Sequence, residues 1–118
     1  MIPGSVTVEP EVIETMARLT ALDVAGVVGI AERDVDRLLG TSGRSVAIQV
    51  NEGRVVVDLH LIVGPDQSLL QLGRAVQHEV TRALQQMIGM PVEAVNVHIE
   101  DVVYSDPDAT EWSEDASA

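Results

Sequence analysis

Two stretches of the chain share a pattern that could do chemistry: "VDLHLIV", Val57 to Val63, and "VNVHIED", Val95 to Asp101. Each threads polar residues through an apolar alternation, giving Asp58 and His60 in the first and Asn96, His98 and Glu100 in the second. Imidazole and carboxylate are ligands for divalent transition metals, so Asp58, His60, His98 and Glu100 form a candidate metal set. That reading requires the two segments to be neighbouring strands in register. It also places the ion on an open sheet face, with no pocket to exclude water or orient ligands. The simpler reading is the wet side of a one-sided sheet, which accounts for all of these residues and for Gln49 as well. His78 falls in a segment of helical periodicity and does not readily join the set.

No other catalytic constellation appears. The sequence has no cysteine, which removes thiolate nucleophiles and Cys-ligated metals and fits a reducing compartment. It contains no G-x-S-x-G elbow and no phosphate-binding glycine loop, and Asp34 with Asp36 in "DVD" reads as a solvated turn. The tetrapeptide "GVVG", Gly26 to Gly29, matches the spacing of the loop that clamps nucleotides in KH domains. Its inner residues are valines, however, and Tyr104 and Trp112 are too few to build a base-stacking platform. A KH-like RNA binder therefore ranks below a metal- or ligand-binding module. Neither an enzyme nor a bound cofactor is expected.

Charge narrows the partners. Nineteen acidic residues oppose seven basic ones, all arginine, for a net charge of −12. Such a field repels nucleic-acid backbones and anionic headgroups. No apolar run approaches the length of a bilayer span, and the N-terminus lacks the basic start of a signal peptide. The expectation is a cytoplasmic chain with no direct membrane insertion. Part of the imbalance is local: "SDPDATEWSEDASA", residues 105–118, carries five acids and no base. Having no apolar periodicity, it is expected to be disordered when alone. Residues 1–104 then form a single domain, and 118 residues suffice for a core without staples.

The elements that must position these residues follow from periodicity. Pro10 to about Leu22 predicts a helix with Val12, Ile13, Met16, Ala17, Leu19 and Thr20 on one stripe and a Glu14–Arg18 pair at i, i+4. "GVVGIAE" reads as a short extended piece and "DVDRLLG" as a helical turn. Val46, Ile48 and Val50, the turn "NEGR", then Val55, Val57, Leu59, Leu61 and Val63 predict a hairpin with one buried face. A second helix is predicted from Leu69 to Met87, opened by "SLLQ" at Ser68 and closed by Gly89 and Pro91. Gly73 lies inside its apolar stripe, which suggests close backbone packing there. A last strand turns Val95, Val97 and Ile99 inward, and "SVTV" near the N-terminus reads as a further short strand. The fold class is α+β: two layers, a small mixed β-sheet made of the hairpin and a crossover strand, covered on one face by two helices.

Three pieces carry a family resemblance: the "P-E-V-I" helix start at Pro10, the "G-V" at Gly26, and the closing "GMPVEAVNVHIEDV" from Gly89 to Val102. From about Val6 to Val103 the chain resembles the alkaline-shock and general-stress protein family of bacteria, often called envelope stress response proteins. It departs from the family at "VGPDQSL", where many members have a tyrosine-glycine pair. The resemblance implies a non-enzymatic cytoplasmic protein of cell-envelope homeostasis that self-associates and is held near the membrane by a small membrane-anchored partner. It supplies no catalytic residues to carry over.

A partner surface is nevertheless visible in the residues themselves. Gln71, Arg74, His78, Arg82 and Gln85 follow helical spacing on the side away from the apolar stripe. They make a local basic row on an acidic chain. An ordinary solvated face explains it. The sharper expectation is that Arg74, His78 and Arg82 receive an acidic surface: either the tail of a neighbouring copy, with Trp112 as its anchor, or a segment of a membrane-anchored partner.

Overall fold

The computed structural model describes residues 2–31 and 45–104. Helix α1 spans Pro10–Asp23, with the proline in its first turn, where a missing N–H costs no intrahelical bond. The Arg18 guanidinium donates to Glu14 at 2.9 Å. The face that α1 buries consists of Ile13, Ala17 and Ala21, one residue per turn and two of them alanine. This corrects the predicted stripe, since Val12 and Leu19 point outward and Leu19 is 57% exposed. The small side chains let α1 lie close to the sheet and to the second helix, so the narrow alanine face goes inward.

Strand β1 (Val27–Ile30) follows a turn at Gly26, whose φ of 102° is open to glycine. It pairs antiparallel with the end of β3, Val27 opposite Val63 and Ile30 opposite Leu61. The "GVVG" tetrapeptide therefore enters a strand and is not a nucleotide-clamping loop. β2 (Val46–Asn51) and β3 (Arg54–Val63) form the predicted hairpin, in register from Val46–Leu59 to Asn51–Arg54. Its two turn residues, Glu52 and Gly53, both have positive φ, 52° and 79°. That is the mirror-image turn whose twist matches the flanking strands.

Helix α2 (Leu69–Ala83) starts at Ser68, whose hydroxyl accepts from the Gln71 N–H at 3.3 Å. Leu72, Val76 and Val80 are its buried positions. The predicted regular helix does not continue to Met87. A π turn occupies Leu84–Ile88, marked by the Gly89 N–H donating to the Leu84 carbonyl at 3.0 Å. The wider turn slips the helical phase and leaves Met87 66% exposed. β4 (Val92–Val102) then runs parallel to β3.

β3 is the shared partner of the sheet. β4 lies along one side of it, and β2 and β1 share the other. Its residues Val55, Val57, Leu59, Leu61 and Val63 are all fully buried and pack with Ile13, Ala17, Val76, Val80 and Leu84 under the two helices. The expected α+β architecture, a small mixed sheet with helices on one face, is the observed one. "SVTV" forms no strand: Val6 is 94% exposed and only Val8 packs against the core. An alternation with no partner strand has nowhere to place its backbone hydrogen bonds. The helical turn expected near Asp34 to Gly40 and the acidic segment 105–118 lie outside the described residues.

Candidate functional site

The parallel register of β3 and β4 brings the two opening motifs side by side on the face away from the helices. Asp58 is opposite Asn96, and His60 is opposite His98. The condition that the metal reading set, neighbouring strands in register, is met. The imidazoles of His60 and His98 stack with ring centroids 4.5 Å apart and planes 11° from parallel. Each imidazole is held by a carboxylate across the strand boundary. Glu100 Oε2 lies 2.7 Å from His60 Nδ1, and Asp58 Oδ1 lies 3.6 Å from His98 Nε2. Asn96 donates to the same Asp58 oxygen at 3.1 Å. The His60 side chain is only 12% exposed, whereas that of His98 is 48% exposed.

These contacts arrange the four groups crosswise on a pleated face, with His60 and Glu100 hydrogen-bonded and His98 and Asp58 in looser contact. A bound ion would need something different. A metal sits about 2.1 Å from an imidazole nitrogen, along that nitrogen's in-plane lone pair. Two nearly parallel, stacked rings direct those lone pairs along separate planes. Among the described residues no group of three or more His, Asp or Glu is disposed to hold a metal. The register is right, but a shared ion requires at least one ring to turn out of the stack.

On the helical side, the predicted basic row is in place. Gln71, Arg74, His78, Arg82 and Gln85 are all exposed. The row follows a ridge with a hollow on either flank. On the β4 flank, Leu69, Leu70, Gly73, Arg74, Gln77, Val97 and Ile99 line an apolar groove of about 400 Å³. On the α1 flank, Thr20, Glu79, Arg82, Ala83, Gln86 and Met87 line a smaller one of about 170 Å³. Trp112, the other predicted partner residue, lies outside the described residues.

Sequence reasoning missed the larger groove. Its one signal was Gly73, read there as a point of close packing. A Cβ on Gly73 would meet only Val97 Cγ1, at 4.0 Å. The glycine is therefore not squeezed by a neighbour; it leaves the space that makes the groove.

A family profile described as the Asp23 family, of cell envelope-related function, matches residues 2–104. The chain belongs to this family, whose name denotes a protein and not the residue at position 23. Two relatives come from Bacillus subtilis (strain 168). YloU is 28% identical over 88% of this chain and 92% of its own length, and YqhY is 26% identical over 86% and 78%. Among solved structures, the copper form of MamM CTD superposes with a TM-score of 0.57 at 18% identity, over 81% of this chain and 89% of that one. A zinc form of a variant of the same domain gives 0.57 at 17%, over 82% and 90%. At such identities the likeness is one of fold. No helix among the described residues is long and apolar enough to cross a membrane.

Proposed function

We propose that the chain is a non-enzymatic interaction protein of cell-envelope homeostasis, working in the cytoplasm by self-association and by binding a membrane-anchored protein partner. The family's envelope-related description supports the setting. The observation that carries the mode of action is the exposed Arg74, His78 and Arg82 ridge on a chain of net charge −12. Three cationic or protonatable groups in one row on an otherwise acidic chain fit an acidic partner surface, and screening weakens such a contact beyond about 8 Å at physiological salt. Sedimentation of the full chain, of a truncation after Tyr104 and of Arg74→Glu/Arg82→Glu, each at low and high salt, tests the reading. Reversing both charges is expected to reduce assembly at low salt and to leave little difference at high salt. Equal assembly of wild type and variant at low salt would remove the ridge from the interface.

A second reading has its own support. His60 and His98 face each other across the β3–β4 register, and the fold is shared with a domain solved in copper and zinc forms. A metal bound only by the native chain raises its melting temperature by mass action. On this reading zinc raises the melting temperature of wild type and not of His60→Ala/His98→Ala. Identical melting of the wild type with zinc and with chelator would eliminate it. The stacked rings and their carboxylate partners favour the first reading.

A further inference from the structure

Among the described residues, the outer edge of β4 has an open stretch, and it coincides with the apolar groove. The hydrogen bonds of β3 fix which β4 amides face outward. His60 N–H donates to the Ser45 carbonyl and Ala31 N–H to the His60 carbonyl, both at 2.9 Å, so the even residues of β3 serve β2 and β1. Val55 N–H donates to Pro91 at 3.0 Å and Val63 accepts from Val103 at 2.8 Å, so the odd residues serve β4. In a parallel ladder the strand paired to those odd residues turns alternate amides inward. With Val57 opposite Val95 and Leu59 opposite Val97, residues 94, 96 and 98 bond to β3, and Val95, Val97 and Ile99 present N–H and C=O to the outside.

Among the described residues no strand pairs with that outer side, yet both ends of it are occupied. Gln77, reaching down from α2, donates its amide to the Val95 carbonyl at 3.1 Å. Beyond the register shift that follows Leu61, Asp101 Oδ1 accepts from the Val102 N–H at 2.8 Å. Among the described residues, the backbone of Val97 and Ile99 stays open, and their side chains line the groove with Leu69, Leu70 and Gly73. Exposed strand backbone beside an apolar hollow is the arrangement that accepts an added strand.

We propose that the occupant is the chain's own segment Ala109–Glu114, added antiparallel to β4 at Val97–Ile99 with the Trp112 indole in the groove. Trp112 is the one tryptophan of the chain and the one large apolar side chain of residues 105–118. A hollow of about 400 Å³ walled by aliphatic side chains has room for it. Glu111 and Glu114 within this segment, and the three further acids of residues 105–118, complement Arg74 at the groove rim. "SDPD" (Ser105–Asp108), rich in turn-forming residue types, begins three residues after the end of β4, so the tether is short and the effective concentration reaches roughly the millimolar range. Docking within one chain also shields the open edge from unwanted pairing. The inference shares Arg74 and the tail residue Trp112 with the self-association reading, and differs from it in docking the tail on its own chain.

Trp112 reports on its own environment through fluorescence. In the full chain its emission is expected to be blue-shifted and protected from acrylamide relative to the urea-unfolded chain. Gly73→Leu fills the groove from a position whose Cβ has room, so the fold, followed by far-UV circular dichroism, is retained while emission moves to that of exposed tryptophan and quenching rises severalfold. Leu70→Asp, at a groove position 69% exposed, gives the same result without touching the helix interior. Emission and quenching in wild type equal to those of the unfolded chain would overturn the proposal, as would a blue shift retained in both folded variants. A blue shift lost on dilution, in step with falling mass in sedimentation, would overturn docking within one chain in favour of docking between copies. Loss of assembly in Arg74→Glu/Arg82→Glu with Trp112 protection intact would leave this inference standing on its own.

Discussion

Leu59→Ala is expected to lower the stability of the chain by about 2–5 kcal/mol, read as a shift in the urea midpoint at unchanged slope. Leu59 is fully buried in the strand that has a partner on each side, between Val46 of β2 and Val97 of β4. Neither neighbour can move inward without disturbing a ladder, so the cavity left by truncation does not collapse. A domain of this size has about 5–15 kcal/mol in total, and the variant stands at the margin of folding. Val28→Ala is the matched control, because Val28 is an exposed strand residue and its truncation is expected to cost about 0.5 kcal/mol or less. Comparable losses in the two variants would mean that β3 is not the centre of the core.

The second large effect is expected at a small residue. Ala17→Leu should destabilise by about 1–3 kcal/mol although leucine is nearly as good a helix former as alanine. Ala17 is fully buried in the face of α1 that meets the core, and three extra carbons there must displace α1 from the sheet. Leu19→Ser, two positions away on the exposed side, is expected to change stability by about 0.5 kcal/mol or less. Thermal or urea unfolding of both separates the observed face from the wider stripe that periodicity suggests. A large loss at Leu19 with none at Ala17 would rotate the helix back to the predicted face.

What the sequence made legible was whatever a single element decides for itself. The alternation from Val46 to Val63 around "NEGR" is a hairpin in any context, and the stripe of α2 from Leu72 to Val80 needs only its own 3.6-residue period. The rotation of α1 was not legible, because Val12, Leu19 and the alanines are all apolar and only the closeness of the neighbours selects the alanine side. The π turn at Leu84–Ile88 was hidden because its composition is ordinary helix. Of the polar face, the identities of Asp58, His60, His98 and Glu100 were readable, but their facing was not. It depends on the parallel register between strands separated by a whole helix. The groove failed for a further reason: a glycine in an apolar stripe marks either a tight contact or a hole, and only the position of Val97 distinguishes them.

The place of β3 at the middle of the sheet also sets an order of assembly. Its hairpin with β2 closes across two residues and is a local event, whereas its pairing with β4 must wait for the intervening α2 and the chain up to Val102. Local contacts form early and distant parallel ones late, because the longer loop has to be closed first. On a chain emerging from its N-terminus, β3 therefore exists for a time as a strand with one wholly apolar face and one bare flank. That interval is when the polypeptide is most exposed to aggregation, and it ends only when the last strand arrives.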